Sequence, residues 1–262
     1  MKKILFIIFT VSVFSCNSFS KKETPKATDD STRIDGRTKD QSVVAFTGAE
    51  KMLTTDIPTS ISVKGKVTEA WKWTDNSGEN LLVLSQVDPF NDNGKSKDDE
   101  VGQTASLHAL HYTKKSDKYE YVWGLNEEVK TCPVDITCSF IPGSATVTDL
   151  NKNGNSELKI QYAMACRGDV SPATMKLIIR ENGMEYSLIG NRWIAYSPDL
   201  KFNINENNVN LENTPKLKDE SAELERTFGR YESEKQFAKA PPVLLTFARS
   251  EWLKFAKEKM GE

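Results

Sequence analysis

Between Ala145 and Pro172, oxygen-bearing side chains fall at alternate positions: Asp149, Asn151, Asn153, Asn155 and Glu157, with Gly154 at the sharp point. This constrains the fold more than any other stretch, because a tight loop turns alternate residues inward and flanking text must then run away from it. Gly154 suits a backbone position with positive φ. Ala145–Thr148 and Leu158–Ala163 are β-branched or alternating, so the loop is expected to join two strands. A hard cation such as Ca²⁺ takes six to eight oxygens at about 2.3–2.6 Å, and such a loop supplies them. The expected ligand set is Asp149, Asn151, Asn153, Asn155 and Glu157, holding Ca²⁺ in a structural role.

The loop begins like an EF-hand, but its twelfth residue is Ile160 and its acidic closer is Glu157. With strands on both sides, it is similar to the calcium loops of β-propeller and integrin-type repeats. A metal-free reading stands beside this one. Asn-Gly between alternating runs is the strongest short hairpin signal and needs no cation.

The chain opens Met1-Lys2-Lys3, followed by an apolar run from Ile4 to Val13 and then Phe14-Ser15-Cys16. That is the pattern of a secretory signal peptide over residues 1–15, too short to span a membrane as a helix. Val13-Phe14-Ser15-Cys16 resembles a bacterial lipobox, which makes Cys16 the expected acylated residue and an N-terminal lipid anchor the expected membrane contact. The location read from this is the cell envelope. Residues 16–42 are rich in Lys, Ser, Thr and Asp with few large apolar side chains, the composition of a tether that cannot bury enough to order itself. The net charge of −2 becomes −4 once Lys2 and Lys3 leave with the signal. Without a basic block, nucleic acid is excluded as an expected partner.

Three further cysteines follow: Cys132, Cys138 and Cys166. Outside the cytoplasm a bridge is expected, and three single pairings are open. The expected one is Cys132–Cys166, which ties the approach to the loop region to its exit and leaves Cys138 free.

Residues 43–200 read as a β-rich domain. Ser60–Trp73 and Asn80–Val87 are strand-like, Asp88–Gln103 is a polar loop, and Thr104–Tyr112 with Tyr119–Val129 forms a hairpin. His108 and His111, three apart in a strand, are expected on opposite faces as surface or cross-strand contacts, not as zinc ligands. Thr174–Arg180 and Met184–Ile189 form a second hairpin around Glu181-Asn182-Gly183, with Asn191–Tyr196 as a further strand. In residues 201–262 an Asn-rich irregular stretch precedes a helical Leu217–Tyr231. A last helix begins at Pro241-Pro242 with Leu244, Phe247, Ala248, Trp252 and Phe255 on its apolar face, and Arg249, Glu251, Lys254, Lys257 and Glu258 on the other. The fold class is therefore α+β: a mainly antiparallel meandering sheet with a C-terminal helix packed on it.

No nucleophile elbow, phosphate-cradling glycine loop or His-Glu-x-x-His motif occurs. Carboxylates available for glycoside hydrolysis are Asp169 with Glu157, or Asp98 to Glu100, but nothing singles out a pair. Arg167-Gly168-Asp169 matches the tripeptide that integrins recognise, but a rigid turn that returns the chain beside the cation loop, with Arg167 paired to Asp169 or Glu157, is the better account.

The lipobox, Asp149-Leu150-Asn151-Lys152-Asn153-Gly154 with Glu157, and Cys166-Arg167-Gly168-Asp169-Val170-Ser171-Pro172 together resemble a family of Bacteroidota lipoproteins associated, in flavobacteria, with surface polysaccharide biosynthesis. Cys132-Pro133-Val134-Asp135 and Phe237–Trp252 extend the likeness over roughly residues 50–255. It implies an envelope protein whose loss or presence affects lipopolysaccharide or capsule, with no assigned reaction and no catalytic residues to carry over. The expected function is a non-enzymatic binding or assembly factor whose partners are surface glycan or envelope assembly proteins. A glycan-processing hydrolase and an Arg167-Gly168-Asp169 adhesin are the alternatives.

Overall fold

Turn chemistry divides the first half of the chain into a meander. In a computed structural model that describes residues 46–92, 101–196 and 201–258, five strands pair antiparallel in chain order: β1 (Thr47–Lys51), β2 (Lys66–Asp75), β3 (Gly78–Asp92), β4 (Gly102–Lys115) and β5 (Lys118–Cys132). Lys115 faces Lys118 across Ser116-Asp117, and Ser116 adopts φ 55°, as a two-residue hairpin turn requires. Four consecutive β3 residues, Leu81 to Leu84, are buried. A strand with both faces covered reads as such a continuous apolar run.

The second half builds a second antiparallel sheet and not an extension of the first. Its strands are β6 (Asp135–Phe140), β7 (Thr146–Thr148), β8 (Glu157–Arg167), β9 (Thr174–Glu181) and β10 (Met184–Asn191). The order is β10-β9-β8, with β6 and β7 sharing the far side of β8. Asn182 and Gly183 both have positive φ, the type I′ signature of the expected β9–β10 turn.

The sheets stack face to face. Leu82, Leu84, Ala105, Leu107 and Ala109 of the first meet Leu158, Ile160, Tyr162 and Ile178 of the second in one cluster. On the far face of the first sheet, Leu81 and Val83 pack with Ile61 and the partly buried Ile57, Val63 and Val67. On the far face of the second, Met175, Leu177 and Ile179 pack with Leu244, Ala248 and Trp252 of helix α2 (Pro242–Phe255). The α+β class and the docked C-terminal helix stand as expected, with two sheets in place of one. Among the described residues no helix is long and apolar enough to cross a membrane.

Several boundaries differ from expectation. The first long strand starts at Lys66, not Ser60. The polar stretch from Asp88 to Gln103 is strand at both ends, with a bulge between Val87 and Phe90 that accommodates Pro89, which has no N–H to donate. Of Asn191–Tyr196, only Asn191 belongs to β10; Trp193 instead bridges Lys257, near the chain's end. The helix expected over Leu217–Tyr231 shrinks to α1 (Glu220–Thr227), capped by the Asp219 side chain on the Ala222 N–H.

Glu251 is the most informative departure. It lies seven residues after Leu244 and three after Ala248, which is the buried face of α2, and it forms an ion pair with Lys159 of β8. Lys159 also lies over the rings of Phe247 and Phe255, at 5.6 and 5.1 Å. Burial outweighs the attraction of Glu251 and holds the Lys159 ammonium below its ordinary pKa.

Cys132 and Cys166 form a disulfide with a Cα–Cα distance of 5.6 Å, and Cys138 is free and buried. The bond joins the end of β5 to the end of β8, so it is a covalent tie between the two sheets. Burial pushes the Cys138 thiol up to about 11, so it stays protonated and unreactive at neutral pH.

Candidate functional site

The central loop does join two strands, β7 and β8, and its polar side chains turn onto the loop's own backbone. Asp149 accepts the N–H groups of Asn153 (3.0 Å) and Gly154 (3.1 Å). Asn151 Oδ1 accepts from Asn153 N, and Asn153 Oδ1 from Asn155 N. Glu157 is completely buried and does close the loop, by accepting the N–H groups of Leu150 (2.8 Å) and Asn151 (3.4 Å) and the Thr148 hydroxyl (3.0 Å). Its burial raises its pKa despite those bonds.

Glu181, which local spacing gave no reason to select, is the partner of the two amides. Its Oε1 accepts from Asn151 Nδ2 (2.7 Å) and Asn153 Nδ2 (2.6 Å). Among the described residues no three His, Cys, Asp or Glu side chains converge into a metal cage. A cation at this loop would therefore draw mainly on amide, carbonyl and water oxygens beside Asp149.

The loop tip docks on the other sheet. Asn76, in the β2–β3 turn, donates its N–H to Gly154 O (2.8 Å) and its Nδ2 to Asn153 O (3.0 Å). Gly154 has φ 79°, and a Cβ there would meet Asn76 Nδ2 at 2.4 Å, so both conformation and contact require glycine. Beside it, buried Asp75 accepts from Ser156 N and Oγ through one oxygen, and from Ser77 N, Ser77 Oγ and Asn80 Nδ2 through the other. Desolvation alone would raise its pKa, but those bonds outweigh it and the net shift is downward.

These contacts wall a cavity of about 120 Å³ at one end of the stacked sheets. Trp73 stacks on His111 at 5.3 Å, His111 meets Trp123 at 5.9 Å, and the Arg180 guanidinium lies 4.6 Å over Trp123. Asn155, Ser156, Glu181 and Asn182 complete the rim.

His108 and His111 do point to opposite faces: His108 bonds Ser106, whereas His111 enters this cavity and is more than a surface contact. Asn80 Nδ2 donates to Asp75 and to Gly78 O, so its Oδ1 faces His111 Nε2 at 3.0 Å and that nitrogen carries the proton. Burial pulls the His111 pKa down to about 4, with Asp75 opposing and Arg180 assisting, so the ring is neutral at pH 7.

The structure does not bring Asp169 and Glu157 together. They flank opposite ends of β8, whose eleven residues span about 33 Å at the usual rise. Asp98 and Glu100, like Cys16, the tether and the signal peptide, lie outside the described residues. Arg167 pairs with neither Asp169 nor Glu157. It forks onto Glu258 and the Ser171 carbonyl, so Glu258 is also not on a free solvent face. Asp169 is exposed and accepts from the N–H and hydroxyl of Ser171, the rigid turn expected there.

Against this geometry, comparisons with protein-family models, with curated proteins and with solved structures each find no match.

Proposed function

We propose that this chain is a lipid-tethered cell-envelope factor that binds surface glycan, without catalysing a reaction on it, in support of lipopolysaccharide or capsule production. The observation that carries the reading is the cavity walled by Trp73, His111 and Trp123, with Asn155, Ser156, Asn182, Glu181 and Arg180 around it. Aromatic rings beside amide, hydroxyl and charged hydrogen-bonding groups suit the alternating C–H and hydroxyl surfaces of a sugar. At about 120 Å³ the cavity is smaller than the roughly 300–1,000 Å³ of enclosed small-molecule sites, which suits one residue of a chain that continues outside. Two titratable groups of the cavity wall are not poised as general acids. Asp75 is held ionised and His111 neutral, so neither offers a proton to a leaving group at pH 7. The lipobox and the likeness to polysaccharide-associated lipoproteins support the location.

Trp123→Ala is expected to weaken binding of the producing cell's own surface polysaccharide about tenfold, or about 1.4 kcal/mol, with circular dichroism unchanged. Failure of the parent protein to bind, or equal binding by the variant, would remove the reading. The loop's calcium is a separate part of it. Calcium should raise the melting temperature of the parent but not of Asp149→Ala, and equal responses would show that Asp149 holds no cation.

A further inference from the structure

A second cavity, of about 310 Å³, lies between the segment after β10 and α1, away from the aromatic site. Its walls include Trp193 and Phe228, and its charged groups are Lys201, Glu225, Arg226 and Arg230. Arg226 is neutralised by a two-pronged pair with Glu223, at 2.7 and 2.6 Å. Glu225 accepts the hydroxyl of Tyr196.

Arg230 is different. It is half-buried, yet its bonds go only to carbonyls: Nε to Asn208 (2.7 Å), and Nη1 to Arg226 (2.7 Å) and Phe228 (3.5 Å). Among the described residues no carboxylate pairs with it, and its Nη2 has no bond to another described residue. Lys201, exposed at the same cavity, likewise has no acidic partner among the described residues. Desolvation first, then the neighbouring Arg226, lowers the Arg230 pKa.

Charges withdrawn from water are ordinarily paired, and a planar guanidinium edge matches the two oxygens of a carboxylate or phosphate. We propose that this cavity binds one oxyanion, a carboxylate or phosphate borne on a body the size of a single sugar, with Arg230 Nη2 and Lys201 Nζ as donors and Trp193 and Phe228 as apolar walls. The cavity opens to solvent and has room for a small ligand. The site stands whether or not the aromatic cavity binds glycan.

The test is calorimetric titration of the purified protein with inorganic phosphate and with glucuronate, at ionic strength matched by potassium chloride. Saturable binding of either anion is expected, at least tenfold weaker in Lys201→Glu and undetectable in Arg230→Gln. Because Arg230 also holds three carbonyls, Arg230→Gln counts only if its circular dichroism matches the parent; Lys201→Glu changes an exposed side chain and decides alone otherwise. Glucuronate binding without phosphate binding identifies a sugar acid, and the reverse a phosphorylated ligand. Heats no larger than those of chloride, or unchanged affinity in Lys201→Glu, would overturn the proposal.

Discussion

Glu251→Met is expected to lower the unfolding free energy by about 3–5 kcal/mol, because it leaves Lys159 charged and without its partner between β8 and α2. The side chains of Lys159 and Glu251 are only 1% and 11% exposed, so water cannot substitute for the lost carboxylate. Removing both charges should reverse most of the loss. The Lys159→Met/Glu251→Met double variant is expected within about 1 kcal/mol of the parent or above it, since well-packed apolar groups often match a buried pair. Urea titration of the parent, both single variants and the double variant would measure this. A cost below about 1 kcal/mol for Glu251→Met would mean that Lys159 finds another partner or reaches water.

The second large effect belongs to the disulfide. Cys132 and Cys166 are 34 residues apart, and closing a loop of that length removes about 4 kcal/mol of chain entropy from the unfolded state. Cys132→Ala/Cys166→Ala should therefore melt roughly 10 °C lower for a domain of this size. A reducing agent should bring the parent down towards the variant and leave the variant unmoved. Buried Cys138 does not replace either partner, so a parent insensitive to reductant, melting with the variant, would show that the bond does not form in solution.

The ion pair and the disulfide act on different joints. The ion pair fixes α2 to the second sheet, and the disulfide fixes the second sheet to the first. The aromatic cavity spans both sheets, because Trp73 and His111 come from one and Leu158 and Arg180 from the other. Loosening the sheets should therefore weaken the proposed glycan binding.

Local pattern alone determined several elements of this protein. Alternation and turn residues marked the β4–β5 and β9–β10 hairpins, and the three- and four-residue spacing of Leu244, Ala248 and Trp252 marked α2. Asp149 to Glu157 marked a loop between strands. These features depend on neighbours a few residues apart, which is the range over which periodicity and φ preference act. Tertiary structure alone decided the rest. The apolar run Leu81–Leu84 implies a strand covered on both faces without saying what covers it, and Glu251 reads as polar until Lys159 is brought against it from 92 positions away. Glu181 became the loop's partner, and His111 a cavity wall, only through the pairing of strands and the stacking of two sheets. No spacing within the chain encodes such contacts, because they arise from burying the apolar faces of separate sheets against each other.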